Sequence, residues 1–148
     1  MNRFCKGLCL LTGVFVLGAT AMAQNMEIAL HAVDGRNGKP LANRHLLVFT
    51  GLSTDAVKSE ATHEDLTTDK DGLATLPISA AETQWIQVWV DGLTLCQSIP
   101  NRNSFSISLI MSKGLSTPNN CGALVRKDIP SHFVVFARPA HFMEKMRW

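Results

Sequence analysis

The sequence predicts an all-β domain, an antiparallel β-sandwich of about seven strands. Two turns carry most of this prediction, one from Asp34 to Leu41 and one from Thr68 to Gly72. Each turn separates short apolar runs that are rich in β-branched residues, as connections between strands do. No long amphipathic helix pattern interrupts the series of short apolar runs, and a pair of packed sheets is the natural way to bury them.

The first half of the chain contains three predicted strands and an edge segment. Met26–His31 alternates apolar and polar residues, which is typical of a strand with one buried face. Leu46–Phe49 is continuously apolar and is predicted to be a central strand. The polar stretch Gly51–Asp65 is predicted to be a long loop, followed by a short edge strand at Leu66–Thr68. Leu73–Ile78 is a further strand, and the proline near its end favours an edge position.

The second half begins with the clearest strand, Gln84–Val90, in which apolar β-branched residues alternate with Trp and Gln. Asp91-Gly92 is predicted to be a hairpin turn, after which Leu93–Ile99 returns as a strand. Ser104–Met111 alternates serine with apolar residues, which predicts a half-buried strand with a hydroxyl face. Phe133–Ala137 is the last predicted strand.

Two segments of the second half have no strand pattern. Lys113–Ser131 is rich in proline, asparagine and glycine and is predicted to be irregular. The C-terminal tail after Pro139 is long enough for about two helical turns, and it gathers apolar residues on one face. We expect that face to dock on the sandwich, over Trp85 and Trp89 or over an open edge. Its apolar residues are Phe142, Met143, Met146 and Trp148.

Residues 1–23 have the pattern of a cleaved signal peptide. Arg3 and Lys6 form a positive start, Leu8–Ala19 is apolar but short for a membrane span, and Ala21–Ala23 offers small residues for cleavage. The mature chain then runs over residues 24–148 as a single domain. It has no second apolar stretch of membrane length, so no transmembrane segment is predicted, and the product is expected to be periplasmic or extracellular.

Export also decides how the cysteines are interpreted. Cys5 and Cys9 leave with the signal peptide, so that only Cys96 and Cys121 remain. An even pair in an exported chain predicts a disulfide bond, and two separate thiols are the alternative. Neither cysteine has a second Cys or His at the spacing of a zinc site, so no metal and no cofactor are predicted.

The mature chain has equal numbers of basic and acidic residues, since cleavage removes Arg3 and Lys6 from a chain of formal net charge +2. The charges are uneven along the sequence, because residues 24–91 are mainly acidic and residues 92–148 mainly basic. This asymmetry could produce a bipolar docking surface, or the two halves could interleave in space and mix their charges. Neither nucleic acid nor an anionic membrane is implied as a partner.

The region from Ile28 to Val90 resembles the carboxypeptidase regulatory-like domain, a prealbumin-like (transthyretin-like) sandwich. The residues that carry the resemblance are Val33-Asp34, Gly38-Lys39-Pro40-Leu41, Thr68-Asp69-Lys70-Asp71-Gly72-Leu73 and the strand and turn from Ile86 to Gly92. The resemblance implies a Greek-key sandwich with a carbohydrate-binding-like fold and a binding or scaffolding role, and it carries over no functional residue. The long loop before Leu66, the cysteine region and the aromatic tail depart from the family pattern.

Enzymes on related sandwiches do not match this chain at their functional residues. Intradiol dioxygenases bind iron through tyrosine and histidine, and this chain has no tyrosine. Hydroxyisourate hydrolases end in Tyr-Arg-Gly-Ser, whereas this chain ends in Lys145-Met146-Arg147-Trp148.

Chemistry-bearing side chains are otherwise scattered. The five histidines do not share a helix, although His31 and His45 could meet across neighbouring strands. No nucleophile-elbow motif accompanies the serines. Asp69 and Asp71 are better explained by turn chemistry, in which Gly72 supplies a positive φ, than by calcium binding.

Trp85, Gln87 and Trp89 form the most distinctive candidate site, because they lie on one face of a strand with the indoles about 13 Å apart. If exposed, they would present a platform for sugar rings or for an apolar partner. Alternatively, the long loop or the tail covers them, or they are exposed without a role. The sequence therefore predicts a non-catalytic exported module with a binding or structural role, its partner an envelope protein or polysaccharide. A carbohydrate-binding module is the alternative, and a small secreted hydrolase comes third.

Overall fold

A computed structural model describes residues 26–59, 63–79, 83–97 and 103–140. The predicted signal peptide and the C-terminal tail from residue 141 onward lie outside the described residues. The described elements are β1 (Met26–Asp34), β2 (His45–Gly51), α1 (Thr54–Lys58), β3 (His63–Thr67), β4 (Leu73–Ile78), β5 (Trp85–Val90), β6 (Leu93–Leu95), β7 (Phe105–Ser106), α2 (Ile107–Lys113), β8 (Leu115–Ser116) and β9 (His132–Pro139). Within these ranges, neither helix has the length and apolar character needed to cross a membrane.

The strands form two sheets, as the prediction of an all-β, sandwich-like domain requires. Sheet A has the order β4-β1-β9-β6, with β8 also paired to β9, and sheet B has the order β3-β2-β5-β7. β4 is an edge strand and β2 is internal, as predicted. The structure differs from the predicted antiparallel arrangement because β9 runs parallel to β1 and to β8. The described residues form nine strands, where about seven were predicted, and β6 and β7 are shorter than the predicted strands that contain them. β8 falls in the segment predicted to be irregular, because two residues are too few to produce a periodic signal.

The main core lies between the two sheets and is built from alternate residues of their long strands. The fully buried members include Ile28, Leu30, Leu76, Ile86 and Phe133. A second, smaller apolar cluster lies on the outer face of sheet A, where the segment after β8 packs against the sheet. Its members are Val33, Cys96, Val134 and Phe136, with Cys121 and Leu124 packed against them.

Both predicted turns have the backbone that their glycines require. Gly38 and Gly72 each have a φ of 75°, a conformation that side-chain-bearing residues rarely adopt. In the second turn, one carboxylate oxygen of Asp69 accepts hydrogen bonds from the backbone N–H groups of Asp71 and Leu73, at 2.8 and 2.9 Å. The carboxylate therefore closes the turn, as predicted.

The predicted strand over Ser104–Met111 is wrong beyond its first residues. Only Phe105–Ser106 forms a strand, and Ile107–Lys113 is the helix α2. The same residues also satisfy a helical spacing, because Ile107, Ile110 and Met111 lie at i, i+3 and i+4 and turn inward together. Leu109, which the strand pattern would have buried, is 39% exposed.

The predicted hairpin at Asp91-Gly92 is also wrong, although the chain does turn there with Gly92 at φ 68°. β5 belongs to sheet B and pairs with β2 and β7, whereas β6 pairs with β9 in sheet A. The turn therefore carries the chain from one sheet to the other. Turn residues predict that the chain changes direction, but they do not predict which strand the following segment pairs with.

His31 and His45, which the sequence allowed to meet, lie apart because β1 and β2 belong to different sheets, and His31 contacts His132 instead. The imidazoles are joined by a hydrogen bond of 2.6 Å between Nε2 of His31 and Nδ1 of His132. Burial lowers the pKa of His31, and the nearby His132 and Arg126 lower it further, while Asp69 acts in the opposite direction. The folded state therefore disfavours the protonated form of His31.

This pair predicts that the protein loses stability as the pH falls from about 7.5 to 5.5. The pKa of His31 is lower in the folded than in the unfolded chain, so in this range the unfolded state binds the extra proton. Melting temperatures measured across the range should fall less steeply for His31→Gln than for the wild type. His45→Gln, on exposed surface of the other sheet, is the control. Equal slopes for the wild type and His31→Gln would contradict the prediction.

Candidate functional site

The face of sheet B that points away from the core holds the candidate residues Trp85, Gln87 and Trp89. The alternation predicted for β5 is confirmed, because Ile86 and Val88 are buried in the core between them. We call the side occupied by Trp85, Gln87 and Trp89 the outer face of sheet B. Across the sheet, the register places Phe49 of β2 directly opposite Gln87.

This outer face is covered by a helix that the sequence did not predict. The polar stretch after β2 contains α1, whose first turn is capped by the Ser53 hydroxyl accepting from the Ala56 N–H at 3.1 Å. α1 lies against β2 and β5, and its Val57 is only 1% exposed. Within the described ranges, Val57 and Phe49 are buried but belong to neither core cluster. They form an apolar cover on this face.

Burial on this face is uneven in a way that excludes a flat, open platform. The side chain of Gln87 is completely buried, while Trp85 and Trp89 are half-buried on either side of it. The Phe49 ring packs edge-on against Trp89, with ring centroids 5.9 Å apart. The tail that was also expected to cover this face lies outside the described residues. The described part of the cover is therefore α1, which arises from the segment predicted as a long loop.

The buried polar atoms of this face lack partners. Across the described residues, five buried side-chain atoms make no hydrogen bond: Nε2 and Oε1 of Gln87, Nε1 of Trp89, Oγ of Ser104 and Oε1 of Gln97. The first three belong to the outer face of sheet B. Ser104 belongs to the same face. In the antiparallel β5–β7 pairing, Trp85 lies opposite Ser106 and Ile86 lies opposite Phe105. The next pair in this register is Gln87 with Ser104.

This cluster, Gln87, Trp89 and Ser104, is energetically costly for the protein alone. A buried polar group without a partner costs about 1–3 kcal/mol, and most buried groups in native proteins are paired. The cluster offers both donors, from the amide, indole and hydroxyl groups, and acceptors, from the amide and hydroxyl oxygens. It is therefore suited to a ligand that can both accept and donate hydrogen bonds beside aromatic rings.

Exposed polar side chains border the site on the β2–β3 side. The Asp65 carboxylate lies 3.7 Å from Nε2 of His45 and 3.9 Å from Nε2 of His63. The His63 ring also packs on Phe49 with ring centroids 5.5 Å apart, which links this rim to the buried part of the face. The described residues contain no group of three or more His, Cys, Asp or Glu arranged to hold a metal ion.

The predicted disulfide is present on the opposite sheet. Cys96, just after β6, is bonded to Cys121 with an S–S distance of 2.07 Å. The bond attaches the irregular segment after β8 to sheet A. A cavity of about 240 Å³ lies in this segment, and its lining includes Ser116 and Thr117 but neither a histidine nor a carboxylate.

The sequence missed Phe49, Val57 and Ser104 as members of the candidate site. A local signal existed for Val57, because Ser53 followed by Thr54 and Asp55 is a typical helix start. Phe49 and Ser104 join the site only through strand pairing, which the sequence pattern alone does not specify.

The fold and the site together define the class of this protein: an all-β, two-sheet, sandwich-like domain with an intrachain disulfide and a covered polar and aromatic face. Comparison with protein-family models, curated proteins and solved structures found no match for the chain.

Proposed function

We propose that residues 24–148 form a non-catalytic, exported β-sandwich module that binds a component of the cell envelope or exterior. Two observations support export. The first is the signal-peptide pattern of residues 1–23, and the second is the Cys96–Cys121 bond, since disulfides persist mainly in oxidising compartments. The turn motifs and the two-sheet fold support our assignment to the prealbumin-like, Greek-key class of carboxypeptidase regulatory-like domains.

The binding role is supported chiefly by the unpartnered polar cluster on the outer face of sheet B. Gln87 is fully buried with both amide atoms unpaired, in a protein that could have placed an apolar residue there at no such cost. Groups that reduce the stability of a fold are often retained because they contact a ligand. α1 lies against β2 and β5, the two strands that carry Phe49 and Gln87, and Val57 is its one buried residue.

A carbohydrate is the second candidate ligand, and the chemistry of the cluster favours it over a purely apolar partner. Sugar hydroxyls donate and accept hydrogen bonds, which matches the mixture of donors and acceptors on Gln87, Trp89 and Ser104. The half-buried indoles of Trp85 and Trp89 flank these groups and offer apolar faces on which a sugar ring can stack.

Cosedimentation with envelope components tests the proposal. The full chain is expressed and fractionated, and we expect the chain beginning at Gln24 in the exported fraction. This oxidised protein is then mixed with isolated cell-wall polysaccharide and, separately, with envelope membranes. We expect it to sediment with one of them, and Gln87→Met to reduce the bound fraction at least five-fold, which corresponds to about 1 kcal/mol.

Gln84→Met is the matched control, because Gln84 is an exposed glutamine just before the same strand. The Gln84 variant should sediment like the wild type. Sedimentation with polysaccharide selects the carbohydrate-binding alternative, and sedimentation with membranes alone selects an envelope protein. If the protein binds neither, or if Gln87→Met binds as well as the wild type, the proposed function is wrong.

A further inference from the structure

One corner of sheet A brings together two segments that are far apart in the sequence. The first is the turn Asp34–Pro40, and the second is the disulfide-attached segment 117–127. The Asn119 amide donates to the Gly35 carbonyl at 2.8 Å, and Nη2 of Arg126 donates to the Gly38 carbonyl at 3.1 Å. We call these two segments together the disulfide corner.

Close packing at Gly35 holds the corner together. A Cβ atom on Gly35 would lie 2.7 Å from the Cys96 sulfur and 2.5 Å from the Asn119 side-chain oxygen, so only glycine fits without rearrangement. The arrangement of the two segments is therefore determined by the disulfide and by side-chain hydrogen bonds to the backbone, and the exposed side chains are presented on a defined surface.

The outward-pointing charges of the disulfide corner are mainly positive. The exposed basic residues are Arg36, Lys39, Arg126 and Lys127. Two acidic residues lie within these two segments or directly after them. Asp34 accepts two hydrogen bonds from the Arg36 guanidinium, at 2.9 and 3.2 Å, and Asp128 accepts one from the Ser116 hydroxyl at 3.1 Å. Over residues 34–40 and 117–128, the basic residues therefore outnumber the acidic ones by two. The turn Asp69–Gly72 packs on Pro40 and adds Asp69, Lys70 and Asp71 beside the corner, which leaves an excess of one basic residue. Lys39, Arg126 and Lys127 can attract a negatively charged partner.

Apolar surface accompanies this charge. The cavity of about 240 Å³ in segment 117–127 is lined by apolar atoms of Phe136 and Leu124 together with Arg126. Val125, which also lines this cavity, is 87% exposed, the highest value for any large apolar side chain in the described residues. A partner that only neutralised charge would leave this apolar surface in water.

We infer that the disulfide corner is a docking surface for an acidic peptide segment of a partner protein, whose carboxylates face Lys39, Arg126 and Lys127 while an apolar side chain packs on Val125 and into the adjacent cavity. The surface goes beyond the proposed function, because it lies on sheet A and the ligand site lies on sheet B. The apolar component distinguishes a peptide from an acidic polysaccharide, which has charge but few apolar groups. Lysine and arginine provide charge attraction, and the apolar contact adds affinity that salt does not screen.

Fluorescence polarisation with a labelled twelve-residue peptide of alternating Glu and Leu tests this inference. We expect the oxidised mature protein to bind the Glu-Leu peptide, with an affinity that falls as the salt concentration is raised. We expect no binding of the matching Lys-Leu peptide. The double variant Lys39→Gln with Arg126→Gln should weaken binding at least ten-fold. Lys58→Gln with Lys113→Gln removes the same charge from α1 and α2, outside the two segments of the corner, and should change affinity less than two-fold.

Val125→Ser separates the peptide from other polyanions. We expect it to weaken binding about three-fold without changing the salt dependence, because the lost contact is apolar. Dextran sulfate and poly-glutamate, which lack apolar groups, should bind at least ten-fold more weakly than the Glu-Leu peptide. The inference is overturned if these polyanions bind as tightly as the peptide, if Val125→Ser has no effect, or if both double variants lose affinity equally. The thermal melt of each variant is recorded first. If the Lys39→Gln and Arg126→Gln double variant melts below the wild type, Lys127→Gln replaces it, and at least a three-fold loss of affinity is expected.

Discussion

Replacing Cys96 and Cys121 together with alanine is expected to lower the free energy of unfolding by about 3 kcal/mol, and the melting temperature by roughly 10 °C. The bond closes a loop over a sequence separation of 25 residues, and without it the unfolded chain gains conformational freedom. Alanine avoids burying a hydroxyl at position 96, where the side chain is almost fully buried. Chemical denaturation of the wild type and the double variant measures the difference.

The loss of stability in the double variant should be largest at the disulfide corner. Cys96 packs with Val33, Val134 and Phe136 in the small cluster outside sheet A, which the segment after β8 helps to cover. Hydrogen exchange should therefore accelerate in residues 117–127 well before it does in β1 and β9. Reduction of the wild type by dithiothreitol should reproduce the effect, and the double variant should not respond to it. A difference in unfolding free energy below about 1 kcal/mol would contradict the expectation that the bond anchors this segment.

In contrast to the loss of the disulfide, Gln87→Met is expected to raise the free energy of unfolding, by about 1–3 kcal/mol. The native amide is completely buried with neither polar atom hydrogen-bonded, so folding removes it from water without compensation. Methionine has a similar volume and can occupy the same space between Phe49 and the strand β7 without that cost. Urea unfolding of Gln87→Met, with Gln84→Met as the control, measures the gain.

The same substitution should remove binding, so the two measurements together test whether Gln87 is kept for function. A more stable variant that no longer binds envelope material would show that the buried amide reduces stability in return for recognition. If Gln87→Met is instead less stable than the wild type, the amide is hydrogen-bonded in solution, and the proposed ligand site loses its main support. Gln87→Ala helps to interpret that outcome, because it removes the amide but leaves a cavity and should destabilise in either case.

Much of the candidate site could be predicted, but its accessibility could not. The alternation of β5 was enough to place Trp85, Gln87 and Trp89 on one face, because side chains of a strand alternate whatever lies around it. Whether that face is open depends on α1, a five-residue helix whose start has a sequence signal but which is too short to show a helical spacing of apolar residues. The unpaired state of the Gln87 amide depends on every neighbour at once, so no local pattern could predict it.

The sequence by itself determined the long strands β1, β2, β4, β5 and β9, the two glycine turns and the disulfide pair, because each depends on neighbouring residues or on a count of cysteines. Only the tertiary structure decided that β6 crosses to sheet A, that Ile107–Lys113 is helical, and that the turn Asp34–Pro40 meets the disulfide-attached segment. These outcomes depend on contacts between distant parts of the chain. A segment such as Ser104–Met111 satisfies the strand and the helix spacing equally well, and packing against the core selects between them.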